Sequence, residues 1–219
     1  MASPSFIQKA YIAFFNRPAD KEGFNFWKST TNTDQELLDL FAKSEEYLSD
    51  FAGKNSKEII KIVYQNLFGR EPEEEGLEYW AEMMDAGWVN VANVAYEILG
   101  GAKNEDKTII ERKAEAAQAF TDALSSGAKV KAYAQAGENG VGNIAKEWLS
   151  SVALGSGSIA ANLDEALSKL DDVLAELVEA YSDSDKQGGG DKPGGDDKPG
   201  GDDKPGGGDN PGGNTGGNT

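Results

Sequence analysis

AYIAFFNRPADKEGFNFW, residues 10–27, decides how the chain is read, because VYQNLFGREPEEEGLEYW, residues 63–80, says nearly the same thing fifty-three positions later. Aligned without gaps, the two share Phe15/Phe68, Arg17/Arg70, Glu22/Glu75, Gly23/Gly76 and Trp27/Trp80, with conservative pairs Phe14/Leu67, Phe24/Leu77 and Phe26/Tyr79. Ahead of each lies helical spacing. Ile7, Ala10, Tyr11, Phe14 and Phe15 fall at i, i+3, i+4, i+7 and i+8, and Ile60, Val63, Tyr64, Leu67 and Phe68 repeat that pattern. Agreement at a single offset argues an internal duplication of a helix-corner-helix unit.

Each residue type in the corner has a mechanical reason. Pro18 and Pro72 fix φ near the start of the second helix, and Asp20, Glu22 and Glu73 to Glu75 suit its first turn, where the helix dipole favours acids. Gly23 and Gly76 cost about 1 kcal/mol each inside a helix. Trp27 and Trp80 follow them by four residues, so each indole is expected to lie over the bare glycine or to mark a close helix approach. Arg17 and Arg70 are expected to bond the last free carbonyls of the first helix, or Glu22 and Glu75. The functional alternative is a shallow glycan- or anion-binding site made by Arg17, Trp27, Arg70 and Trp80, with stacking on the indole and bidentate bonding by arginine.

The remaining periodicity is also helical. Thr33 and Glu36 form a capping box for a helix carrying Leu37, Leu40, Phe41, Leu48 and Phe51. Asn90 caps a helix that buries Val91, Val94, Ala95, Ile98 and Leu99 and ends at Gly100-Gly101. Further helices are expected over about 107–124, 141–154 and 159–181. The last has Leu163, Leu167, Leu170, Leu174, Leu177 and Tyr181 on a short coiled-coil-like seam that packs on its own domain. No stretch alternates as a strand does. The expected architecture is an all-α multi-helix bundle over 1–181, with repeat one at about 6–53, repeat two at about 59–101 and C-terminal helices at about 107–181. Beyond Tyr181, residues 182–219 run into GGGDKP-type hexads with no apolar side chain, the composition of a disordered linker.

Composition narrows the chemistry. The 219 residues include no Cys and no His, which excludes Ser-His-Asp and Cys-His nucleophile systems and ordinary zinc sites. The chain reads as a non-enzyme. A net charge of −17 repels nucleic acid and anionic membranes and attracts oxygen-loving cations, with calcium the cofactor to consider. No apolar run approaches the ~18 residues of a membrane span, and the first fifteen residues lack the pattern of a secretory signal.

The quoted stretches, with FAKSEEY (41–47) after the first, resemble tandem repeats of the family known as domain of unknown function 4214. Tyr11, Phe15, Arg17, Asp20, Gly23 and Trp27 match its motif in the first copy; Tyr64, Phe68, Arg70, Glu73, Gly76 and Trp80 match it in the second. The resemblance implies the N-terminal region of a bacterial surface-layer or RTX-type protein, exported by a type I system to the cell surface. It also implies calcium-dependent assembly and attachment to cell-surface glycan such as lipopolysaccharide. The chain shows neither a calcium β-roll nor a C-terminal secretion signal, so the tail is expected to lead to further domains. The alternative is a structural or protein-docking module that assembles subunits through its helical surface.

Overall fold

The computed structural model describes residues 1–30, 32–134, 142–154 and 158–187. Twelve α-helices and no strand occur among them, so the chain is all-α. The GGGDKP-type hexads, and most of the linker expectation with them, lie outside the described residues.

The first four helices are α1 (Pro4–Phe15), α2 (Lys21–Ser29), α3 (Asp34–Phe41) and α4 (Glu45–Asp50); α5 (Ser56–Phe68), α6 (Glu74–Asp85), α7 (Val91–Gly101) and α8 (Asn104–Ala123) follow in parallel order. Local chemistry starts most of them. Ser3 caps α1 with Pro4 in its first turn, Thr33 and Glu36 form the expected capping box, and Asn55 with Glu58 and Asn90 with Asn93 form two more. Each corner leaves its first helix through a left-handed residue, Asn16 at φ 51° after α1 and Gly69 at φ 70° after α5. Gly69 reaches that conformation without a Cβ to clash; Asn16 reaches it as the commonest non-glycine exception.

Pro18 and Pro72 do not open the second helices as expected. Each lies ahead of the cap, Asp20 for α2 and Glu73 for α6. The Asp20 carboxylate accepts from the Gly23 amide at 2.6 Å, whereas Glu73, one methylene longer, makes no side-chain cap bond.

α1 is the central element, packed by α2, α3, α5 and α8. The Asn66 side chain donates to the Ala13 carbonyl at 3.0 Å, joining α5 to α1 at equivalent positions of the two matched stretches. α8 stands where α4 stands in the first half, but runs for 20 residues instead of 6. It therefore continues back along α1 and α5, burying Ile110, Ala114, Ala117 and Phe120. Beyond it, α9 (Gly127–Ala134), α10 (Gly142–Leu154), α11 (Ile159–Ser168) and α12 (Leu170–Gln187) close one continuous core that reaches from Ile7 to Leu177.

Three helix expectations change. The helix from Thr33 stops at Phe41 because the Ser44 hydroxyl bonds the Phe41 carbonyl and caps a new helix at the Tyr47 amide. That break leaves Leu40 and Leu48 exposed and buries Leu38 and Tyr47 instead. The expected helix over 159–181 is two. Ser168 bonds back to the Glu165 carbonyl and the Trp148 indole takes the Ala166 carbonyl, and the chain tightens at Lys169. Within the seam Leu163, Leu174 and Leu177 are buried against the chain's own helices, as α11 packs on α8 and α10, and α12 on α9. Lastly, α12 passes the composition break at Tyr181 and ends at Gln187.

Lys113 of α8 is only 1% exposed, and its Nζ donates to the Asn66 carbonyl. That carbonyl belongs to the last turn of α5, where no intrahelical donor remains. Burial pushes the Lys113 pKa down to about 7, while an unfolded lysine titrates near 10.4. Between those values the unfolded chain holds a proton that the native chain has lost, so stability rises with pH by up to about 1.4 kcal/mol per unit. Above pH ~10 the sign reverses, because burial raises the Tyr11 and Tyr133 pKa values and the native chain keeps protons that the unfolded one releases. Urea denaturation should show a midpoint that climbs between pH 7 and pH 9.5 in the parent chain, and a flat profile over that window in Lys113→Met.

Candidate functional site

The two arginines are spent on the fold. Arg17 leaves the end of α1 and reaches α4, where Nε and Nη2 donate to both carboxylate oxygens of Glu46 at 2.9 and 2.7 Å. Arg70 makes the same fork with Asp106 in the first turn of α8, at 2.9 and 2.6 Å. Each guanidinium lies over the same two rings, Tyr11 and Phe15 at 5.1 and 5.4 Å or Tyr64 and Phe68 at 5.5 and 6.0 Å. Each also donates through Nη1 to the next residue's carbonyl, Pro18 or Glu71. Neither binds the last carbonyls of its helix or Glu22 or Glu75, the partners expected from the sequence. The actual partners carry a sequence signal of their own, AKSEE at 42–46 and AKNED at 102–106, which a search at the single offset of fifty-three passes over.

Burial separates the two corners. The Arg17 side chain is 15% exposed and that of Arg70 38%. Burial opposes the charge on Arg17, but the charge and hydrogen bonds of Glu46 outweigh it and raise its pKa well above the ordinary value. For Arg70 the hydrogen bonds to Asp106 are the main cause of a raised pKa. Over the first corner the Tyr133 hydroxyl of α9 donates to the Pro18 carbonyl at 2.6 Å. Gln8 ties the adjacent backbone down, accepting from the Ala19 amide and donating to Thr121, whose hydroxyl bonds the Ala19 carbonyl.

Gly23 does not make room for Trp27. A Cβ there would lie 2.2 Å from the Tyr11 hydroxyl and 2.8 Å from an Asp20 oxygen, so the glycine admits the tyrosine. Trp27 instead packs against Phe41 at 5.3 Å, in an aromatic cluster that also holds Tyr11, Phe14 and Phe15. At Gly76 a Cβ would meet nothing within 4 Å, and Trp80 is half-buried. Arg17 and Trp27 are thus enclosed, Arg70 and Trp80 lie partly at the surface, and no pair forms an open stacking site.

A concavity that could take a ligand opens instead where the two halves meet. It is a cleft of about 320 Å³ lined by Asn16 at the end of α1, Asp50 and Phe51 at the end of α4, Ile62 and Asn66 of α5, and Lys146 of α10. This is the small end of the usual range of ligand pockets, about 300–1,000 Å³. The Asn16 amide nitrogen reaches Ser150 Oγ at 3.4 Å, while its Oδ1 is buried with no donor. None of these polar residues was legible as a site, because they come from four separate helices and share no spacing. Among the described residues no group of three or more acidic side chains is placed to hold a metal ion, and no helix is long and apolar enough to cross a membrane.

Residues 39–108, about a third of the chain, match the family described as Domain of unknown function (DUF4214). The matched segment contains the whole second corner and the acidic partners of both arginines. No curated protein and no solved structure matches the chain.

Two pairs of substitutions test the corners. Arg17→Ala should cost roughly 3 kcal/mol in urea denaturation, since it leaves Glu46 beside buried rings without its counter-ion, and Arg70→Ala about 1 kcal/mol or less. Gly23→Ala should destabilise, with partial recovery when Tyr11→Phe removes the obstructing hydroxyl. Gly76→Ala should stabilise by about 0.5–1 kcal/mol, as expected for an unobstructed helical glycine.

Proposed function

We propose that the chain is a non-catalytic N-terminal module of a bacterial surface-layer or RTX-type secreted protein. It is exported by a type I route and anchors that protein to cell-surface glycan such as lipopolysaccharide. In this reading the two corners are tandem copies of one unit, supported by the parallel arginine forks and the matching order of helices.

The observation that carries the glycan reading is the cleft between the halves, lined by the polar side chains of Asn16, Asp50, Asn66 and Lys146. Hydroxyl-rich ligands supply donors to Asp50, and accept from Lys146 and the amide of Asn66. A chain of net charge −17 repels anionic sugars, so contact runs through neutral residues of the glycan or through calcium bridging its acidic groups. Titration of the protein with purified lipopolysaccharide, with and without calcium, should show saturable binding. Lys146→Ala should weaken that binding about tenfold, the loss of one charge-assisted hydrogen bond to the ligand. It should leave stability nearly unchanged, as expected for a partly exposed surface position. Absence of binding in both conditions overturns the anchoring function.

A second reading, a module that docks other subunits, is favoured by exposed aromatics in the second half, with Trp88 75% and Tyr79 54% exposed. The leucine seam offers less, since Leu163, Leu174 and Leu177 are buried within the chain and Leu167, Leu170 and Tyr181 are half-buried against it.

A further inference from the structure

Two opposite charges face the cleft between the halves without meeting. Asp50, the last residue of α4, and Lys146 of α10 both line it. Among the described residues neither side chain makes an ion pair or a hydrogen bond, with the other or with any third group. Elsewhere on the surface a lysine and a carboxylate do close up, as Lys61 and Glu71 do at 3.4 Å. In the cleft the two charges stand too far apart for that, on walls they share with Phe15, Phe51 and Ile62.

The local field says which end of a ligand goes where. Asn16 ends α1, Phe51 ends α4 and Asn66 sits in the last turn of α5, so the cleft collects the negative ends of three helices. Asp50 adds a carboxylate at such an end, where the dipole opposes it and no cation of the chain bonds it. That side attracts an ammonium group. Lys146 offers the other side a point for an anionic oxygen. A ligand that carries both charges has no net charge, so the field of a chain at −17 does not repel it as it repels a simple anion. Phe15, Phe51 and Ile62 supply an apolar wall for the short carbon spacer between its two ends.

We infer that the cleft binds a zwitterionic group, a primary ammonium held by Asp50 and joined through a short carbon spacer to a phosphate or carboxylate held by Lys146. The inference rests on the same cleft as the glycan reading and deepens it: a glycan recognised here presents such a group as a substituent. Asn16 and Asn66 are left to bond neutral hydroxyls beside it.

The test titrates the full chain, labelled with ¹⁵N, with O-phosphoethanolamine and with β-alanine, and separately with ethanolamine and inorganic phosphate, which carry one charge type each. Saturable shifts are expected at the amides of Asn16, Phe51 and Asn66 with at least one zwitterion, and the tighter of the two identifies the anion. Ethanolamine and phosphate alone should each bind about tenfold more weakly, as should the zwitterion to Asp50→Asn and to Lys146→Met, two shape-conserving changes outside the core that should leave the urea midpoint unchanged. Three results overturn the inference: no saturable shift with either zwitterion, single-charge ligands that bind as well as the zwitterion, or full affinity in either variant. A parallel titration with lipopolysaccharide separates the two readings. Lipopolysaccharide binding without any zwitterion shift overturns the inference and leaves the anchoring function, whereas zwitterion shifts without lipopolysaccharide binding do the reverse.

Discussion

The forked bond between Arg17 and Glu46 is the constraint from which the first half of the molecule takes its shape. It ties the end of α1 to the start of α4, two points twenty-nine residues apart in sequence, and thereby fixes how far α2 and α3 can swing between them. A planar guanidinium with both edges bonded tolerates little rotation. The rings of Tyr11 and Phe15 beneath it, and Phe41 packed on both, therefore settle in one arrangement. The tyrosine hydroxyl then has only one place to go, and the glycine at position 23 leaves that place open.

Amphipathic periodicity and capping residues made the helices legible, since both are local properties. Thr33 with Glu36 and Asn90 began helices as expected. Ser44 was missed because a serine inside an apolar periodic run looks like a tolerated polar residue until its hydroxyl is seen bonding the Phe41 carbonyl. The matched stretches identified the corner and its essential residues, but not their partners. The guanidinium pairs with a carboxylate beyond two intervening helices, and those helices are longer in the second half, 12 and 11 residues against 9 and 8, so a search at one offset could not align Glu46 with Asp106. The role assigned to Trp27 failed for a related reason. Proximity along a helix suggested the indole as the group over Gly23, whereas tertiary packing brought Tyr11 across from another helix.

The second half departs from the first most through the length of its last helix. Where α4 ends after a turn and a half, α8 continues and spends its apolar face on α1 and α5. That extension brings Lys113 under the end of α5 and Thr121 under the first corner, so the first half is enclosed by sequence that follows the second. The open cleft by Asn16 and the exposed acids near Arg70 are the surfaces this enclosure leaves over.

The family match begins at Asp39, within α3, and ends in the opening turn of α8. Glu46 falls inside that frame and its arginine outside it. A fragment cut along the frame would carry a carboxylate stripped of its counter-ion and the rings of Phe41 and Tyr47 stripped of α1, together with an α8 severed from the helix it braces. The matched stretch thus omits α1 and Arg17, the partners of Phe41, Tyr47 and Glu46, along with most of α8.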